Sequence, residues 1–165
     1  MILRCTQKLL KASRAIAAPE LPPSPGVLEE WYANVVSLPF PGHVAVMFTH
    51  TASLLTVIAP GRVLRTTVPV FHQRLPELLW RVGVSDRWIA IHAPSPELHL
   101  AKTADRRVVG SMTEFAYGIW NYAELINGQL NLDHIETRLA GTPMSYLRYG
   151  FPGRALLKLA ATHPT

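Results

Sequence analysis

The residues of this chain best suited to chemistry fall in one short run, Lys102-Thr103-Ala104-Asp105-Arg106-Arg107-Val108-Val109-Gly110-Ser111-Met112. Its apolar positions open a helical stripe, which puts Arg106 and Arg107 in a helix's first turn with Lys102 just ahead. Unpaired N–H groups and the macrodipole make that end electropositive, and two guanidinium groups add to it. A bound anion would satisfy them together: a phosphate, a carboxylate or a nucleic-acid backbone. Thr103 and Ser111 add hydroxyl donors, each equally explained as a cap or turn residue. The run therefore predicts an anion site built from Lys102, Thr103, Arg106, Arg107 and Ser111. The simpler alternative is that Asp105 or another carboxylate neutralises the arginines, or that they extend into water.

Other chemistries find less support. The histidines stand at 43, 50, 72, 92, 99, 134 and 163, with no pair at the three- or four-residue spacing of a helical zinc site. Neither a metal nor a cofactor is expected. The chain has one cysteine, Cys5, so no intramolecular disulfide can form. On an N-terminal strand such a residue is usually a small buried side chain, and an unbridged chain fits a reducing cytoplasm. There is no Gly-x-Ser-x-Gly elbow, P-loop or dinucleotide fingerprint. Glu29 and Glu30 are adjacent but read as a solvated approach to a strand rather than an acid/base pair. Trp31, Trp80, Trp88 and Trp120 could stack on bases. Trp80 and Trp120 lie beside apolar helical stripes, so packing is the better reading for those two.

These residues must be held by a folded scaffold. Of 165 residues 48% are hydrophobic and 16% charged, which is a globular composition and not a disordered one. One domain over 1–165 is the natural size, and no apolar run reaches the ~18 residues of a membrane span. The net charge of +5 comes from basic residues spread along the chain. No block of like charge marks a nucleic-acid tail, although a mild basic balance favours anionic partners. The first 19 residues carry Arg4, Lys8, Lys11 and Arg14 and no acid, faintly like an organellar transit peptide. The structural reading is preferred: a strand over 1–5, Thr6 as N-cap, and a helix over 7–17 with Leu9, Leu10, Ser13 and Ile16 on its mostly apolar side.

A proline-rich connection covers 19–30, with Pro19, Pro22, Pro23, Pro25 and Gly26 blocking regular structure. Apolar strands follow over 31–38, 43–49 and 52–59, the last two joined at His50-Thr51. Short connections predict an antiparallel meander. The last two strands are apolar on successive residues, so both faces should be covered, by helices on at least one side. A helix over 68–82 contains Pro76, which should kink or split it. Ser85 caps a short helix over 86–91, and a strand follows at 97–101. Val108, Met112, Phe115, Ile119, Tyr122 and Ile126 alternate steps of four and three, which predicts one helix over 105–126 ended by Asn127-Gly128. The rival start is Ser111, with Glu114 completing a capping box. Asn131 caps a helix over 132–140, closed by Gly141. Phe151-Pro152 opens the last helix, burying Leu156 and Leu159. The order predicts an α+β fold: an antiparallel-rich sheet of about five strands with helices packed against it.

Several segments together resemble a bacterial family of unknown function, domain of unknown function 6933. They are Met1-Ile2-Leu3-Arg4-Cys5-Thr6-Gln7-Lys8-Leu9-Leu10, Trp31-Tyr32-Ala33-Asn34, the block from Lys102-Thr103 through Arg106 to Gly110-Ser111-Met112, and the ending from Thr142-Pro143-Met144-Ser145 to Tyr149-Gly150-Phe151-Pro152. The resemblance spans nearly the whole chain and implies a small, cytoplasmic, single-domain bacterial protein. It supplies no activity and no catalytic residues. Arg107 stands where the resemblance leads one to expect a small polar residue.

Residues and resemblance together point to a non-enzymatic binding or interaction module with an anionic ligand at the start of the 105–126 helix. The runner-up is a small enzyme acting on a phosphorylated or carboxylated substrate, with Arg106 and Arg107 as clamp and His99 or His92 as acid/base. A nucleic-acid binder is the third reading.

Overall fold

In the computed structural model, which describes residues 1–23 and 26–164, helices cover both faces of one five-stranded sheet. The elements run β1 (Ile2–Cys5), α1 (Gln7–Ser13), β2 (Glu30–Ser37), β3 (Val44–His50), β4 (Thr56–Pro60), α2 (Leu64–Arg81), α3 (Asp86–His92), β5 (His99–Lys102), α4 (Arg106–Asn121), β6 (Leu125–Ile126), β7 (Gln129–Leu130), α5 (Leu132–Ala140) and α6 (Pro152–Thr162), with a 3₁₀ turn at Ser145–Leu147. Among the described residues no helix is long and apolar enough to cross a membrane. Pro25, placed in the proline-rich connection, lies outside the described residues, and 19–23 form neither helix nor strand.

The sheet order is β4-β3-β2-β1-β5. The meander β2-β3-β4 is antiparallel, but β1 runs parallel to both its neighbours, β2 and β5. The sheet is thus mixed and not antiparallel-rich. The cause is the connection: β1 reaches β2 through α1 and a long loop, and a helical crossover returns the chain in the same direction. Beyond Thr6 the two strands part. Pairing with β1 stops at Ala33, while β2 continues to Ser37.

The apolar strands divide their side chains between two cores. Trp31, Ala33 and Val35 of β2, with Val46, Phe48, Val57 and Ala59, pack under α1, α2, α3 and α6. Tyr32, Val36, Ala45, Met47 and Ile58 pack under α4 and α5. Period-two alternation buried on both faces is why the strands read as unbroken apolar runs.

The helices depart from expectation where local chemistry overrides periodicity. α1 ends at Ser13, because Arg14 turns left-handed (φ 52°) and closes the helix with its own N–H; Ile16 is left 90% exposed. α2 runs unbroken through Pro69 and Pro76. Both prolines face solvent, where the carbonyls they leave unpaired can be hydrated. Asp105, not Ser111, caps α4. Four fully buried side chains, Val108, Met112, Phe115 and Ile119, supply on the order of 2 kcal/mol each. The stripe therefore outweighs any surface charge effect at the helix start. α4 ends at Asn121, short of Ile126, because Asn127 and Gly128 both adopt positive φ and fold 125–130 into a tight hairpin.

Both outer sheet edges are guarded. On β4 the N–H of Ile58 donates to the Glu136 carboxylate (2.8 Å), and on β5 the carbonyl of Leu100 accepts from Ala18 N–H (2.8 Å).

Candidate functional site

The start of α4 is built around Asp105. Its backbone N–H donates to the Tyr32 hydroxyl (2.9 Å), and its carboxylate accepts from the backbone N–H of Arg107 (2.8 Å). The same carboxylate takes the Arg107 guanidinium through Nε (3.2 Å) and Nη2 (2.8 Å). Hydrogen bonds from the Arg107 side chain and backbone hold the Asp105 carboxyl below its usual range. Arg107 also lies over the Tyr146 ring, 5.4 Å from its centroid. The Ser111 hydroxyl is buried and donates to the Arg107 carbonyl (3.1 Å). Arg107 and Ser111 are thus engaged in organising the helix start, and Thr103 is half-buried. Arg106 and Lys102 are exposed, and neither makes an ion pair among the described residues.

Lys102 finds company elsewhere. At the end of β5 it borders a hollow of about 280 Å³ with Gln7, Lys11 and Arg14, floored by Leu10 and the 15–17 segment. No carboxylate lines this hollow, and among the described residues Lys11 and Arg14 have no ion-pair partner either. Lys11 projects from α1, Arg14 from its left-handed cap, and Lys102 from the strand beside β1. The sheet order brings together cations about ninety positions apart in sequence. Further positive charge adjoins: Leu64 N–H donates to Ser13 Oγ (3.0 Å), which seats the start of α2, with exposed Arg62 and Arg65, against the end of α1.

The histidines stay apart from the α4 arginines. His99 sits at the amino end of β5, three strand residues (about 10 Å) from Lys102, and its Nε2 lies 3.4 Å from Glu97. His92 packs on Trp88 at 4.4 Å. Among the described residues no group of three His, Cys, Asp or Glu side chains could hold a metal ion. Cys5 is buried, and burial pushes its thiol up to about 12, so it carries no thiolate at neutral pH.

Two polar clusters have no local sequence signal. His50 is fully buried against Trp31 and bridges three segments. Its Nε2 lies 2.8 Å from the Val27 carbonyl, which can only accept, so this nitrogen carries the proton. Nδ1 then accepts from the Ser53 hydroxyl (2.8 Å) and backbone N–H (3.3 Å). The second cluster joins α2 to α5. Buried Glu136 accepts from Arg74 (2.9 Å), Arg81 (2.7 Å) and Ile58 N–H, and Asp133 takes the same two guanidiniums at 2.7 and 3.1 Å. Burial pushes the Glu136 carboxyl above its usual range, while Arg74, the Ile58 N–H and Arg81 pull the other way. His50 uses both ring nitrogens internally, and in the second cluster both carboxylates and the guanidinium Nη groups pair within the fold while the buried Arg81 Nε has no partner among the described residues; both clusters are ties within the fold. Glu29 and Glu30 are ties too, the first to the Met1 amine (2.9 Å) and the second to Arg4.

The tryptophans reverse the expectation. Trp31 and Trp88 are buried, whereas Trp80 and Trp120 are more than half exposed. The α2 and α4 stripes are complete without them.

These features belong to a small α+β domain family whose activity is not defined. The family model described as "Domain of unknown function (DUF6933)" matches residues 2–155, and the chain belongs to that family. No curated protein and no solved structure matches the chain.

Proposed function

We propose that this chain, one α+β unit, is a non-enzymatic binding module for an anionic ligand held against Lys102, Lys11 and Arg14. The observation that carries this reading is the convergence of those three cations on one hollow with no carboxylate in its lining. Like charges brought together without a counter-charge repel, and a bound anion turns that cost into affinity. Exposed Lys8, on α1 with Lys11, and exposed Arg62 and Arg65 at the start of α2 add further positive charge near it. Of the predicted site residues, Lys102 alone serves the ligand, since Arg106 is not in the lining of the hollow. Thr103, Arg107 and Ser111 shape the turn and helix start that follow it. A general base is not part of this reading, because neither His92 nor His99 lines the hollow.

Thermal unfolding at low salt tests it, with inorganic phosphate, a nucleoside triphosphate and a short single-stranded oligonucleotide as probes. Stabilisation by at least one probe is expected, and it should vanish in the triple variant K11Q/R14Q/K102Q while that variant's own fold is retained. An oligonucleotide alone, with a steep salt dependence, would identify the anion as a nucleic-acid backbone. No stabilisation by any probe, or the same stabilisation in the variant, refutes the reading.

A further inference from the structure

One stretch of sheet edge has been left open. In β2 the even-numbered residues bond to β3: Thr51 N–H donates to the Glu30 carbonyl and Leu38 N–H to the His43 carbonyl. The odd-numbered residues face the β1 side, where Thr6 N–H takes the Ala33 carbonyl. There the chain turns away into α1. Val35 and Ser37 thus point their backbone groups into the track that β1 vacates. Among the described residues, the N–H and carbonyl of Val35 and the N–H of Ser37 have no backbone partner. Only the Ser37 carbonyl is met, by the Trp120 indole N–H at 3.2 Å. The outer edges, by contrast, are each capped from within the chain.

This open edge forms one wall of a groove of about 300 Å³. The other wall is α4, through Thr113, Ala116, Tyr117 and Trp120. Tyr117 is 72% and Trp120 54% exposed, although both are large rings on a helix that has a full apolar stripe elsewhere. The same exposed face of α4 continues by steps of three and four through Gly110 to Arg106. The groove wall therefore has aromatic rings at one end, and on the same face of α4 a cation stands about 10 Å beyond Thr113.

We propose that this groove takes up an extended segment of a partner polypeptide, which adds as a strand of about four residues to the Val35–Ser37 edge of β2. The unpaired groups choose the occupant. Two N–H donors and a carbonyl acceptor, spaced two residues apart along one edge, are complementary to an extended backbone. The flanking rings accept an apolar side chain of that segment, and Arg106 accepts a carboxylate at the opposite end. A second copy of the chain fits poorly, because α4 stands beside its own edge and two edges so flanked cannot meet. The proposal is independent of the anion site, since the groove and the Lys11–Arg14–Lys102 hollow share no lining residue.

The test uses the full chain and a phage-displayed library of random linear peptides, panned at high salt to suppress contacts with the basic surface. Enriched peptides should alternate apolar residues, and panning repeated at low salt should add an Asp or Glu toward one end. Their affinity should fall at least about tenfold in Y117A/W120A, whose substituted rings are exposed. N-methylating alternate peptide amides should abolish binding, while methylating the intervening amides should not. The Val35 and Ser37 amides should exchange with solvent rapidly in the free protein and become protected in the complex. The proposal fails if nothing is enriched, if Y117A/W120A binds the selected peptides as well as the parent, or if protection appears elsewhere. Concentration-dependent dimers abolished by Y117A/W120A would also overturn it, by assigning the groove to self-association.

Discussion

Acidification should remove stability that this chain stores in a single imidazole. His50 is neutral in the fold because every neighbour demands it: the Val27 carbonyl accepts from Nε2, and Ser53 presents two donors to Nδ1. A proton on Nδ1 would face those donors inside a dry core. Burial pushes the pKa down from 6.5 to about 4, against the opposing pull of the Val27 carbonyl and Glu30. In the unfolded chain the ring titrates near 6.5. Between that value and about 4 the unfolded state binds a proton that the folded state refuses, so stability falls as pH falls and levels off below. At about 1.4 kcal/mol per pH unit the whole window amounts to about 3 kcal/mol, a large part of a small domain's stability. Urea unfolding across that range, on the parent and on His50→Gln, measures it. Glutamine keeps an amide donor for Val27 but does not titrate. The variant should be less stable at neutral pH through lost contact with Trp31, yet its stability should fall less steeply on acidification. Carboxylates titrate in both proteins, so the difference isolates His50. Equal slopes refute the argument, as would a His50 ring resonance titrating near 6.5 in the folded protein. That spectrum needs no variant.

Two further outcomes follow from buried groups. Cys5, with its thiol pushed up to about 12 and its Sγ–H directed at the Leu3 carbonyl, should resist iodoacetamide in the folded protein at neutral pH. It should react at full stoichiometry in denaturant, and rapid native labelling would contradict its placement. Glu136→Ala strands the Ile58 N–H and leaves Arg74 and Arg81 with only Asp133, so it should cost about 3–5 kcal/mol in chemical denaturation. Glu136→Gln, which keeps an acceptor for Ile58, should cost less, and equal losses in the two variants would show that the edge bond contributes nothing.

What the sequence disclosed was whatever short-range physics decides. The α4 stripe, the caps at Thr6, Ser85 and Asn131, and the apolar runs of β2, β3 and β4 all depend on residues within a few positions of one another. The direction of β1 depends on what lies between it and β2, and strand composition alone carries no sign of it. The 125–130 hairpin was masked because two-residue strands are too short to alternate, so Asn127-Gly128 read as a helix stop although both residues fit a tight hairpin turn. The exposure of the Trp80 and Trp120 rings is hidden from the sequence for a related reason. Helical periodicity shows which residues could share a face, but only the packed neighbours show whether that face is already full. The site itself followed the same rule. Lys102 is visible as part of a local charge cluster, whereas Lys11 and Arg14 come beside it only because β5 pairs beside β1.

The cationic hollow and the β2 groove differ in the physics that would hold a ligand, and this keeps them separable. Lys11, Arg14 and Lys102 are exposed charges, whose pull on an anion decays over a screening length of about 8 Å at physiological salt. Raising the salt therefore weakens everything bound at that hollow. The β2 edge offers uncharged backbone donors and an acceptor beside two aromatic rings, and strong salt leaves both hydrogen bonding and ring contact largely in place. A single salt titration of any bound partner thus reports which face holds it. A strand along Val35 to Ser37 that also sets an acidic residue on Arg106 would lose part of its affinity to salt and keep the remainder. That remainder should fall at least about tenfold in Y117A/W120A, because these are the large exposed rings lining the groove.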